Sequence, residues 1–390
     1  MFERGVKLNM FNGLLKGRGK YIAPIVVILY FGIFMSVMFY PMANMSISGL
    51  PFAVVSLDEG LETPAASVNV GETMAEQLAS SNDESEDATI IWTQLEDQDA
   101  LDEALDNNDY YGALVIPKDY TASQMAAEAG TGEASTITMY LDYAKSPMIV
   151  TNLQNSISSL FSEQGLDVEV EIIHSGSSTV SSSNPMSGMI GQQLGVMPIF
   201  MMTIMSSMMV AGMFPKKPED TLQRRTRSTL LRMCVSIGVS FLVSLAAVGI
   251  VAWVGGIDAN FGSLLLFLWL ASFALSLVFT GLYSIAMPLG ILGMFILMPF
   301  GMMTATLPVE VFPSFWQDFI CTWVPQRFMG DGVRSILYMD AGPWTKGSMV
   351  MVIYAIVGLA INAISLAFPR RKKPEISEAT EESQAQEKEK

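Results

Sequence analysis

Two cysteines, Cys234 and Cys321, and one histidine, His174, are all the thiol and imidazole ligands in 390 residues. So few, without the usual pair spacings, exclude a zinc framework and a disulfide scaffold. On the topology argued below the two cysteines fall near opposite membrane faces, too far apart to bridge. His174 stands beside a Ser-rich run with no second ligand at a recognisable spacing, and reads as a solvated histidine. The acidic run Asp83, Glu84, Glu86, Asp87 lacks the Asp-x-Asp-x-Asp-Gly pattern of a calcium loop and reads as solvated chain. A nucleotide loop is missing too. Gly13–Lys20 is glycine-rich, but its spacing is one residue off, and Tyr21 stands where Ser or Thr is required. We therefore expect no catalytic residue, no bound cofactor and no metal: the chain is not an enzyme and does not hydrolyse ATP by itself.

Charge is scarce as well, at 15% of residues, against 51% hydrophobic. Its distribution is uneven. Residues 42–188 carry 24 Asp and Glu but only two basic residues, Lys118 and Lys145, whereas the remainder has 20 Lys and Arg against 14 acids. Nucleic acid is excluded as a partner, because phosphate backbones select Lys and Arg. Basic residues near span ends stay cytoplasmic, whereas large polar domains cross with little regard to charge. The segregation thus predicts a membrane protein, surrounded by lipid, with one large acidic domain outside.

Six stretches reach the roughly 20 apolar residues a helix needs to span. They are Tyr21–Pro41, Ile190–Phe214, Leu231–Val254, Gly262–Tyr283, Ile285–Leu307 and Ser348–Phe368. The fourth and fifth share an uncharged run that Met287-Pro288 divides. Six spans place the leader (residues 1–20), the basic loop Pro215–Arg232 and the Arg370-Arg371-Lys372-Lys373 tail all inside; five would put the tail outside. The expected fold is an α-helical polytopic membrane protein with both termini inside. Span one covers 21–41, an extracytoplasmic α/β domain covers 42–188, spans two to six cover 189–368, and 369–390 form a disordered tail. Span one has a basic leader but no convincing cleavage site, so it reads as an uncleaved anchor.

Within 42–188 short strands alternate with helices: strands at Pro51–Leu57, Thr89–Trp92, Tyr111–Ile116, Thr136–Leu141 and Asp167–Ile173, and helices at Val70–Ser80, Asp99–Asn107, Asp119–Ala129 and Pro147–Phe161. That alternation predicts a small α/β sheet. Residues 308–346 are neither loop nor span. They mix aromatics, including Trp316 and Trp323, with the charges Glu310, Arg327, Asp331 and Arg334, and prolines 313 and 325 divide them. Two short amphipathic or re-entrant helices at the outer leaflet are expected there, with those six residues as a candidate site.

No span carries an ionisable residue near its middle, which argues against ion-coupled transport. The leader places Phe2, Val6, Met10 and Leu14 on one helical stripe, as a surface helix or a topogenic leader would. Met197, Met201, Met205, Met208 and Met213 fall near one face of the second span. Thioethers can hold Cu(I), but flexible apolar filling is the reading adopted. The loop after the second span offers Lys216, Lys217, Arg224, Arg225 and Arg227, either as positive-inside anchors or as a coupling element for a cytoplasmic partner.

LPFAVVSLDEG (Leu50–Gly60), YYGALVIPKDYTASQ (Tyr110–Gln124) and VPQRFMGDGVRSILY (Val324–Tyr338), set in this order of spans, resemble the YhgE/Pip group of the ABC-2-type permease superfamily. The resemblance implies a permease subunit of a bacterial cytoplasmic membrane that forms a homo- or heterodimer and works with a separate cytoplasmic ABC ATPase, which binds and hydrolyses the ATP. It further implies that Phe2–Leu15 and Pro215–Arg232 contact that ATPase. The uncharged spans favour hydrophobic or amphiphilic cargo. The competing class is a non-transport scaffold of a secretion or envelope assembly, or a surface (phage) receptor. The chain lacks the long coiled-coil outer region of many phage-infection proteins, which weighs against that class.

Overall fold

The computed structural model describes residues 28–41, 43–44, 49–62, 67–84, 89–154, 168–175, 186–215, 220–257 and 259–367. The leader, the tail, Lys216, Lys217 and most of the Ser-rich run lie outside the described residues. In chain order a first helix α1 (Ile28–Pro41) leads into an α/β domain. The domain comprises β1 (Leu50–Ser56), β2 (Leu61–Glu62), β3 (Ser67–Val68), α2 (Val70–Ser80), β4 (Ile90–Gln94), α3 (Gln98–Asp106), β5 (Gly112–Ile116), α4 (Tyr120–Glu128), β6 (Ile137–Asp142), α5 (147–154) and β7 (Val168–Ile173). The expected strands and helices are all present within a residue or two, except that only 147–154 of the Pro147–Phe161 helix is described.

Five strands form one sheet in the order β4-β1-β5-β6-β7. β1 pairs in parallel with β4 and β5, β6 runs antiparallel to β5, and β7 is parallel to β6. Alternation sorts the side chains. Leu50, Phe52 and Val54 of β1 join Leu114 and Ile116 of β5 in one core, while Ala53, Val55, Ala113 and Val115 face Leu101 and Leu105 of α3 in another. Both faces are covered, which is why the central strands are apolar throughout. Asp58 then locks the helices to the sheet. Its carboxylate accepts from the amides of Gly60, Gly71 and Thr121 and from the Thr121 hydroxyl. Two of those amides sit in the first turns of α2 and α4, where orphan N–H groups favour an anion.

The rest of the chain is a bundle: α6 (Met186–Met213), α7 (Leu222–Trp253), α8 (Phe261–Ile285), α9 (Met287–Thr304), α10 (Pro325–Tyr338) and α11 (Lys346–Ile364). Among the described residues five helices, all but α10, are long and apolar enough to cross a membrane. The described part of the first expected span, Ile28–Pro41, is a shorter apolar helix that packs on α9, with the Tyr30 and Phe295 rings 4.5 Å apart. As expected, the chain breaks at Ala286, just before Met287-Pro288.

α8 is the central helix of the bundle, packed by α6, α7 and α11. Gly358 of α11 lets the two backbones touch: a Cβ there would stand 2.8 Å from the Val278 amide nitrogen. Along α8 the hydroxyls Ser272, Ser276, Thr280 and Ser284 recur every fourth residue, all buried. Thr203 meets Ser272 at 2.7 Å and Ser207 donates to Ser276 at 3.2 Å, so α6 is stitched to α8 through apolar surroundings.

Two expectations need correction. The basic segment Pro215–Arg232 is no loop over its second half: α7 begins at Leu222, capped by Thr221, and carries Arg224, Arg225 and Arg227 in its first turns. No breaker separates these arginines from the apolar run, so the helix simply continues. Arg232 accordingly lies inside α7, 2% exposed, hydrogen-bonded to Ser284, Thr229 and the Ser228 carbonyl. The second correction concerns 308–346. Of the two short amphipathic or re-entrant helices expected, one is present as α10, most of it buried among its neighbours, and the other is replaced by short turns at Val309–Val311 and Trp316–Ile320. The glycines of Met329-Gly330-Asp331-Gly332 explain why α10 sinks in. A Cβ on Gly330 would lie 2.1 Å from the Ala305 carbonyl oxygen, and one on Gly332 2.2 Å from the Phe267 ring.

Candidate functional site

A cleft of about 560 Å³ opens where the α/β domain meets the near end of the bundle. One wall is the α3–β5 turn (Asp106–Asp109) with Lys145; the other is the segment from Leu307 through α10 to the start of α11. Glu310, Arg327, Asp331 and Arg334, four of the six residues singled out in 308–346, converge on it. Trp316 and Trp323 do not line it. Trp316 is buried, stacked on Phe312 at 5.6 Å, and Trp323 holds Tyr354 through its carbonyl. These two tryptophans support the segment's shape.

The charges are arranged rather than scattered. Asp331 takes a 3.0 Å contact from Arg334 and lies 3.8 Å from Arg327, whose Nη1 donates to the Cys321 carbonyl at 2.7 Å. One carboxylate therefore serves two guanidinium groups. Arg334 is 9% exposed, and its Nε has no hydrogen-bond partner. Across the cleft Tyr111 donates its hydroxyl to Glu310 at 3.1 Å. Burial, reinforced by the Glu310 charge, pushes the Tyr111 phenol far up, so it stays a proton donor at any physiological pH. Lys145 donates to the Asn108 and Asp109 carbonyls and sits 5.6 Å over the Tyr111 ring. Desolvation pulls its ammonium down, with Glu310 the largest opposing influence. Tyr111 and Lys145 escaped the sequence reading as site residues. The available signal was that Lys145 is one of two basic residues in a stretch with 24 acids.

At the opposite end of the bundle lies the second candidate, the arginine face of α7. Arg225 donates to the Leu366 carbonyl at 3.3 Å and ties α7 to the end of α11. Arg224 and Arg227, three residues apart, are exposed; Arg224 reaches Asp220 only at 4.0 Å. Such an exposed pair adds little stability, so these two charges are free for a partner. The methionine face of α6 is partly external: Met205, Met208, Met209 and Met213 are exposed on the protomer, as lipid- or helix-facing filler would be. Among the described residues no group of three metal-binding side chains occurs.

Among the described residues five apolar helices of spanning length, the buried α8 and four others, define a multi-pass membrane protein. Residues 21–364 match the family described as ABC-2 family transporter protein, and the chain belongs to that family. It is thus the membrane component of a transporter, and the family as a whole works with a cytoplasmic ABC ATPase. Among curated proteins none matches the chain significantly.

Proposed function

We propose that the chain is the permease subunit of an ABC-2-type exporter, of the YhgE/Pip kind, that moves a hydrophobic or amphiphilic substrate across a bacterial cytoplasmic membrane. It works as a dimer with a separate ATPase. In this reading α1 with the residues before it forms a sixth span, both termini are cytoplasmic and the acidic α/β domain is outside. The observation that carries it is the exposed pair Arg224 and Arg227 on α7, at the bundle end remote from the α/β domain. A rigid helix continuous with a membrane span is a lever. Movement of an ATPase docked on its first turns passes into the bundle through Arg225–Leu366 and Arg232–Ser284.

The test is affinity purification from native membranes in mild detergent, with a trapped ATP analogue. Recovery of an ATPase with the wild type and its loss with Arg224→Glu plus Arg227→Glu is the expected result. Recovery of envelope or secretion proteins through the α/β domain, with no ATPase in either sample, would replace the transporter with a scaffold.

A further inference from the structure

The cleft between the α/β domain and α10 has two chemically different halves. Its inner part gathers Arg327, Arg334 and Lys145 against Asp331 and Glu310. Asp331 is shared by two arginines, so the inner part holds three cationic groups against two carboxylates. The wall also includes Thr345–Gly347, the N-terminus of the 19-residue α11. Its partial positive charge favours an anion, and the exposed Lys346 adds a full one. The mouth is different: Asp106 and Asp109, both exposed, stand on the domain side. Leu307, Met339, Trp344 and Val350 supply an apolar flank where α11 enters the bundle.

We propose that this cleft binds the headgroup of a zwitterionic phospho-amphiphile, with the phosphate innermost against Arg334 and an amine at Asp106 and Asp109. The acyl chain lies along the Trp344–Val350 flank. A phosphate supplies the negative charge that the Arg327, Arg334 and Lys145 side leaves uncompensated. Glu310 and the acidic mouth disfavour a group with several negative charges, whereas an amine beside the single phosphate converts that mouth from repulsive to attractive. The volume suits one headgroup, since small-ligand sites run from about 300 to 1,000 Å³. The inference deepens the transport reading by naming the chemistry of the cargo's head, and it rests on that reading for its place at the outer membrane face.

The test needs neither ATPase nor transport. The purified full chain in detergent is titrated with lysophosphatidylethanolamine, with lysophosphatidylglycerol, with monoacylglycerol and with free phosphoethanolamine, and binding is read by native mass spectrometry. The expected order places lysophosphatidylethanolamine first and monoacylglycerol last. Arg334→Gln and Lys346→Glu should each weaken the first ligand roughly tenfold, the value of one lost charge-assisted hydrogen bond. Asp106→Asn with Asp109→Asn should erase the preference for amine over glycerol while leaving phosphate-dependent binding. Thermal unfolding reports whether Arg334→Gln folds; if it does not, Arg327→Gln and the exposed Lys346→Glu carry the test. Equal binding of monoacylglycerol, or wild-type binding in the charge variants, would overturn the site. Free phosphoethanolamine binding as tightly as the lipid would overturn its assignment to an amphiphile. A chain that binds the lipid but recovers no ATPase keeps the cleft and loses the transporter; the converse keeps the transporter and loses the cleft.

Discussion

Asp58, just beyond the end of β1, is a structural joint between the sheet and two helices. Burial alone would raise its pKa, but the hydrogen bonds from Thr121, Gly71 and Gly60 outweigh that and hold it below the ordinary carboxylate value. Stability from a lowered carboxylate is present above its unfolded pKa and is lost as pH falls through the folded one. Asp58→Ala leaves helix-end donors buried without their acceptor, and should destabilise the α/β domain by about 3 kcal/mol, read as a lower denaturant midpoint. His174 behaves in the opposite sense. The fully buried Asp142 carboxylate, 3.2 Å away, raises its pKa against the pull of desolvation. Its contribution is therefore complete below the ordinary histidine value of about 6.5 and disappears as pH rises through the raised one. The melting temperature of the wild type should fall between pH 6 and pH 8 by more than that of His174→Gln; parallel curves would remove the pair from the account. The sequence reading of His174 as a solvated side chain missed this, because Asp142 is 32 positions away and is brought to it only by the pairing of β6 with β7.

At the scale of elements, the legible features were those that repeat. Alternating apolar residues marked β1 and β5, and long uncharged runs marked α6 to α9 and α11. Pro288 marked the α8–α9 break. Two features were illegible for physical reasons. Helix propensity does not stop at a change of polarity, so the sequence could not show that Arg224–Arg232 continue the helix that spans. Burial of α10 depends on glycines meeting Ala305 and Phe267, which no local pattern reveals. The buried hydroxyl stripe of α8 was visible as a period of four in ASFALSLVFTGLYS, yet its facing residues on α6 were not. Two predictions belong here. Gly330→Val would drive a side chain against the Ala305 backbone, which cannot yield as a flexible side chain does. The variant should cost about 3 kcal/mol or more, or fail to accumulate in the membrane. Thr203→Val removes one interhelical hydrogen bond between α6 and α8. Its cost should be only about 0.6 kcal/mol and no more than about 1.7, because the unfolded chain in a membrane finds other partners for Ser272.

In the whole molecule the α/β domain is fused to the bundle rather than hung from it. One apolar cluster runs from Phe52 and Tyr111 through Tyr143, whose ring meets Tyr338 edge-on at 5.5 Å, into the bundle core. Beside that seam Tyr111 donates to Glu310, and Lys145 donates to the Asn108 carbonyl on the domain's own wall of the cleft. A domain held by a continuous core moves with the helices it touches, so the bundle and the cleft beside α10 belong to one mechanical body. Interfaces within a chain otherwise tend to be loose and polar, and the polar part here is small enough to test alone. Tyr111→Phe keeps the ring in the apolar cluster and deletes only the bond to Glu310, leaving the carboxylate to water in the cleft. The expected result is a native fold with faster amide exchange in residues 307–312 and in the α3–β5 turn, while exchange in β1 and α8 is unchanged. Exchange unchanged everywhere would mean that the apolar seam alone holds the domain. Exchange raised throughout the sheet would mean that the hydrogen bond stabilises the domain itself rather than its docking.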